Sequence, residues 1–151
     1  GPIEHASLDD FDRQVDINLR APFRLTRALL PSIRRRRGQV VFINSSAGVR
    51  AVPDSGIYSA TKHGLKGLAD SLRAEVNGEV RVLSIFVGTT ATPMQASLHA
   101  SKGRRYIPER LIQPADVATL VVQALSLPRT VEVTSIHMRP AAPPEQPGTC
   151  S

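Results

Sequence analysis

Apolar residues recur at helical spacing through the first quarter of the chain. Phe11, Val15, Leu19, Phe23, Leu25, Leu29 and Leu30 make one stripe. Ser7, then Asp9 and Asp10, precede the stripe, which reads as an N-cap and an acidic first turn. Pro22 has no N–H for the helical ladder, so it is expected to kink or locally break this helix. Gly38 ends it. The period then changes. Residues 39 to 45 hold the apolar run Val40-Val41-Phe42-Ile43 and finish on Asn44-Ser45, the pattern of a buried parallel strand leaving its sheet. A loop over 46 to 56 is punctuated by Gly48, Pro53 and Gly56. Leu65, Leu68, Leu72 and Val76 then share one face of a helix from about Ile57 to Val76, which Asn77-Gly78 closes. Val80 to Phe86 reads as a second buried strand. Residues 87 to 113 read as irregular, with a short helix near Pro93 to Ala100. Pro114 opens a third helix that runs to about Leu125, and Thr130 to Met138 reads as a third strand.

Helix, strand, helix, strand, helix, strand implies parallel strands joined by right-handed crossovers. The fold class is α/β: a partial, doubly wound (Rossmann-like) parallel sheet, the C-terminal half of such a sheet, with three strands and flanking helices. At 151 residues the chain is one domain's worth, expected over 1–138. Pro140, Pro143, Pro144 and Pro147 make 139–151 a tail expected to be disordered.

Composition removes several alternatives. No apolar stretch nears the ~20 residues of a membrane span, and no signal peptide is visible. The single Cys150 allows no disulfide within one chain and no cysteine metal site, so a cytoplasmic protein is expected. A net charge of +6 invites a nucleic-acid reading. Its densest cluster, Arg34 to Arg37, closes the first helix, where cations complement the dipole. With 4% aromatic residues and no helix-turn-helix signature, nucleic-acid binding is not expected. His5, His63, His99 and His137 are dispersed, with no metal-ligand spacing to one another or to Cys150.

The chemistry lies elsewhere. Tyr58-Ser59-Ala60-Thr61-Lys62 puts a phenol and an ammonium one helical turn apart, on one face. A cation beside a phenol favours phenolate, and a phenol so tuned can exchange a proton with a carbonyl oxygen. Ser45 stands 13 residues earlier, at the carboxyl end of a strand, where ligands of open α/β sheets bind. Asn18 falls inside the first helix, where asparagine is mildly unfavourable.

Together these segments resemble the short-chain dehydrogenase/reductase family, single-domain branch. Asn18-Leu19, Val41-Phe42-Ile43-Asn44-Ser45-Ser46-Ala47-Gly48, Tyr58-Ser59-Ala60-Thr61-Lys62 and Val87-Gly88-Thr89-Thr90-Ala91-Thr92 occur in the family's order and near its spacing. The resemblance spans roughly residues 1 to 140. It implies an NAD(P)-dependent oxidoreductase that interconverts a carbonyl and an alcohol, with NADP or NAD as cofactor and a small carbonyl or alcohol as substrate. Carried over residue by residue, Tyr58 is the catalytic acid/base, and Lys62 supports it and binds the nicotinamide ribose. Ser45 donates to the substrate oxygen, with Ser46 as the neighbouring alternative. Asn18 distorts its helix and holds a water that links Lys62 to solvent. Gly88, Thr90 and Thr92 fall where the family contacts nicotinamide, although Val87 replaces the usual proline and turn capping remains open for the threonines. Met94, Gln95, Leu98 and Tyr106 fall where the family folds over substrate.

Family members also carry a glycine-rich strand-to-helix turn and an Asn-Ala-Gly segment upstream, and neither is in these residues. The resemblance therefore implies a C-terminal portion that is inactive alone, with Val40 to Ile43 as a bare apolar edge. The competing expectation is a non-catalytic association module. In the family the long first helix and the Tyr58 helix commonly form the dimer interface, so a homo-oligomer is expected through those two helices.

Overall fold

The computed structural model describes residues 1–141. Most of the proline-rich tail, including Pro143, Pro144 and Pro147, lies outside the described residues. The apolar stripe of the first helix forms one long helical run in three pieces: α1 (Leu8–Val15), a π turn (Asp16–Arg20) and α2 (Ala21–Arg35). Ser7 caps α1, its Oγ accepting the Asp10 N–H at 3.1 Å. Pro22 does not break the helix. The π turn absorbs it, with the Ala21 N–H bonded to the Asp16 carbonyl one residue beyond α-helical register. Pro31 lies within α2 without ending it.

After Gly38 come β1 (Gln39–Ser45), α3 (Gly56–Glu75), β2 (Arg81–Val87), α4 (Pro93–Ser101), α5 (Pro114–Leu125) and β3 (Ser135–Met138). The three strands are parallel, in the order β1-β2-β3. The register sets Ser45 beside Val87 and Val87 beside Met138, so all three strands end at one edge of the sheet. Gly78 (φ 79°) takes the left-handed conformation that lets the chain turn from α3 into β2.

The core lies between α3 and the sheet. Leu65, Ala69, Leu72 and Val76 of the α3 face pack on Phe42, Val80 and Val82. Central β2 is buried from Val82 to Phe86, as a continuous apolar run in a parallel sheet requires. Each fully buried aliphatic side chain there contributes about 1.5–3 kcal/mol. By contrast, α1, α2 and α5 contain no buried residue, and Phe11, Phe23, Leu25 and Leu29 stand exposed along the first helical run. β1 is an edge strand of the described sheet, and Ile43 is 49% exposed.

β3 is shorter than the expected 130–138. The Val131 N–H bonds the Pro128 carbonyl in a turn. The Glu132 carboxylate then takes the Val82 N–H at 2.9 Å, a place where a ladder partner would stand. Arg73 completes the join, donating to the Val82 and Thr134 carbonyls at 2.9 and 3.0 Å. Side chains replace backbone pairing until Thr134, whose carbonyl accepts the Ser84 N–H at 3.1 Å.

Candidate active site

Ser45 is the last residue of β1, in extended conformation, and its Oγ accepts the Ala47 N–H at 3.2 Å. That bond starts the 3-10 turn Ser46–Gly48 and leaves the hydroxyl hydrogen to be donated outward. Ser46 is exposed and is the first residue of the turn.

Tyr58 lies in the first turn of α3, half-buried. Lys62, one turn on, places its Nζ 5.7 Å from the centre of the Tyr58 ring. The same Nζ donates to the Ile43 carbonyl at 3.4 Å, two residues before Ser45. Burial holds the Lys62 ammonium below the ordinary lysine pKa, because desolvation disfavours the charged form. One long hydrogen bond leaves two ammonium hydrogens for other acceptors.

Asn18 sits in the π turn. Its Nδ2 donates to Thr61 Oγ1 at 3.2 Å, and Thr61 Oγ1 donates to the Tyr58 carbonyl at 2.8 Å. The side chain of Asn18 thus engages the neighbour of Lys62 and the backbone of Tyr58 through one buried hydroxyl. Gly64 permits this approach, since a Cβ there would stand 3.1 Å from Leu19 Cδ2.

Gly88, Thr90 and Thr92 follow β2, at the sheet edge that carries Ser45. Gly88 donates to the Met138 carbonyl at 2.9 Å, and a Cβ on it would come 3.0 Å from that oxygen. Thr90 Oγ1 donates to the Gly88 carbonyl at 3.0 Å. Thr92 caps α4, its Oγ1 accepting the Gln95 N–H at 3.3 Å. Of the segment beyond, Met94 and Leu98 are exposed, and Tyr106 meets His99 edge-on at 5.5 Å between ring centres.

Two buried polar residues join this set without having been singled out in the sequence. Thr61 is one. The other is Asn44, whose Nδ2 donates to the Lys62 carbonyl at 3.1 Å. The signal for Asn44 was an amide at the end of an apolar strand, where burial obliges a partner. No group of three or more potential metal ligands occurs among the described residues. Nor is any helix there long and apolar enough to cross a membrane.

Comparison with known proteins gives a consistent picture. A family model described as short chain dehydrogenase matches residues 1–103. An uncharacterised short-chain type dehydrogenase/reductase of Sinorhizobium fredii is 37% identical over 139 residues, covering 89% of this chain and 56% of that protein. A sepiapterin reductase of Chlorobaculum tepidum is 31% identical over 144 residues, covering 94% of this chain and 57% of its own length. Among solved structures, an alcohol dehydrogenase of the archaeon Thermococcus sibiricus, complexed with 5-hydroxy-NADP, superposes with a TM-score of 0.81 at 26% identity. That match covers 97% of this chain and 60% of the archaeal one. The chain spans a little over half the length of the curated relatives it matches here.

Proposed function

Because this chain belongs to the short-chain dehydrogenase family, we propose that it carries the catalytic side of an NAD(P)-dependent oxidoreductase that interconverts a carbonyl and an alcohol. The observation that carries the reading is the grouping at the end of β1. A phenol whose hydroxyl has no partner among the described residues, a partly desolvated ammonium over its ring and a serine with its hydrogen free are tied to one strand end.

The family's cofactor fits these residues. Lys62 has two unspent ammonium hydrogens for vicinal ribose hydroxyls, and the segment from Gly88 to Thr92 leaves the same sheet edge. NADP or NAD supplies hydride when bound. The protein's own part is polar. Ser45 donates a hydrogen bond to the substrate oxygen and orients it. Tyr58 gives the proton to that oxygen in reduction and takes it back in oxidation. Lys62 stands beside the Tyr58 ring and places the site's positive charge there. Asn18, through Thr61, holds the turn that carries Tyr58 and Lys62.

The test is NADPH and NADH binding to the purified 151-residue chain, followed by nicotinamide fluorescence. Binding by the parent is expected to be weak, because no glycine-rich turn lies in these residues, and Lys62→Ala should weaken it by about tenfold more. An identical response from the parent and Lys62→Ala would sink the reading.

A second reading, association with another copy of this chain, has its own observation. A groove of about 420 Å³ runs between α2 and α3, lined by Phe23, Leu30, Leu68 and Leu72, with Arg27 and Glu75 also on its walls. An apolar floor flanked by opposite charges suits a self-complementary contact. Tyr58→Phe would leave such association intact while removing the chemistry.

A further inference from the structure

We propose that Asn44 is a positioning residue that fixes Ser45 to Lys62, so that hydroxyl and ammonium keep one spacing. The proposal rests on the reading of Ser45 and Lys62 as site residues given above.

Asn44 is 4% exposed. A carboxamide so buried must be bonded on both ends. Its Oδ1 accepts the Ser45 N–H at 2.7 Å, and its Nδ2 donates to the Lys62 carbonyl at 3.1 Å. The preceding residue, Ile43, holds Lys62 from the other end by accepting from Nζ. Two successive strand residues, Ile43 and Asn44, thus engage both ends of one lysine and the amide of the serine.

Gly48 supplies an independent observation. A Cβ there would stand 2.7 Å from Asn44 Oδ1 and 2.8 Å from the Lys62 carbonyl. Its φ is not left-handed, so backbone conformation does not demand glycine here. Close approach does: the 3-10 turn, the Asn44 carboxamide and α3 converge on the space a methyl group would fill. Asn44 and Gly48 therefore belong to one three-way contact. Its chemical consequence is geometric, because a displacement near 1 Å in a reacting constellation costs about 10²-fold in rate. Lys62 also stays desolvated only while α3 is held against the end of β1.

The chain has three lysines, Lys62, Lys66 and Lys102, so ε-carbon NMR of labelled lysine can follow Lys62 by itself, assigned through Lys62→Arg. In the parent, Lys62 titrates below the ordinary lysine range. Asn44→Ala and Gly48→Ala should each move that midpoint upward, as the amine becomes hydrated. Each should also speed Ser45 amide exchange by about tenfold or more. The double variant should move no further than the larger single, since both act on one contact. Gly48→Ala keeps every hydrogen-bonding group, which separates displacement from the loss of a polar partner. A folded variant with a lower Tm but an unchanged Lys62 midpoint and Ser45 exchange rate would overturn the proposal, leaving Asn44 as a satisfied strand end. Unfolding of both variants would overturn it too, as the contact would then be a folding determinant. Neither readout uses nicotinamide, so a failure of cofactor binding and a failure of this proposal are separate results.

Discussion

Lys62 shows how one side chain joins stability to chemistry. Burial lowers its pKa in the folded chain. Between that lowered value and the unfolded value near ~10.4, the unfolded chain binds more protons. Stability therefore rises with pH through that window, and below it the folded state bears the full cost of a buried charge. Lys62→Met should remove this rise and stabilise the chain near neutral pH, measured as the urea midpoint at several values from about pH 7 to 10. Parallel midpoint curves for parent and variant would refute it. Asp70 differs in that the fold favours its charged form. Burial opposes its ionisation, but hydrogen bonds from Lys66 and Arg73 outweigh burial and hold its carboxyl below the usual carboxylate range. That contribution is lost as pH falls through the lowered value. Arg73 matters more for its carbonyl partners, Val82 and Thr134, than for Asp70. Arg73→Met should cost about 2–3 kcal/mol in urea unfolding, because charged hydrogen bonds are lost and acceptors are stranded. A cost below about 0.5 kcal/mol, the usual scatter of surface substitutions, would contradict this. At this scale the one-turn spacing of Tyr58 and Lys62 and the strand-end place of Ser45 were legible from local pattern. The links of Asn44 to Lys62 and of Thr61 to Asn18 were not, because those partners come from other elements.

Elements repeat the lesson. The stripe from Phe11 to Leu30 marked the first helix, and Pro22 marked a disturbance in it, but the form of that disturbance could not be read. A π turn shifts the ladder by one residue just before the proline, so the missing N–H breaks nothing. The start of β3 misled for a related reason. Val131 and Val133 have strand propensity, yet Glu132 reaches the Val82 N–H with its side chain and Arg73 takes the nearby carbonyls. Propensity describes the residue, whereas pairing depends on what else arrives at the edge. Glu132→Ala should cost about 1–2 kcal/mol and expose the Val82 amide to exchange. Glu132→Gln, which keeps an acceptor, should recover most of the loss. Equal costs for the two would mean that the side-chain bond does not set the strand boundary. Thr92 was read in two ways, as a nicotinamide contact and as a turn cap. The geometry shows its oxygen capping α4, a role worth about 1 kcal/mol on replacement by alanine.

At the scale of the molecule, the three-stranded parallel sheet followed from element order alone, because parallel strands need crossovers and the chain supplies them. What order cannot convey is how unevenly the helices are covered. α3 is sunk into the sheet, whereas α1, α2 and α5 bury no residue at all. Two of the places where apolar side chains stand exposed predict different assemblies. One is the groove between α2 and α3, with Phe23 48% exposed at its wall. The other is the edge of β1 with Ile43, which has no neighbouring strand among the described residues and so invites strand addition. Phe23→Glu places a charge in the groove and leaves the edge untouched, while Ile43→Lys does the reverse. If a second copy seats in the groove, sedimentation of the parent at tens of micromolar should show a dimer that Phe23→Glu makes monomeric and Ile43→Lys does not. If strand addition dominates, Ile43→Lys alone should restore the monomer, and the parent should grow beyond dimers, because edge pairing without closure is open-ended. A parent that stays monomeric at about 100 µM would defeat both, since stable interfaces bury ~1,200 Å² or more and hold well below that concentration.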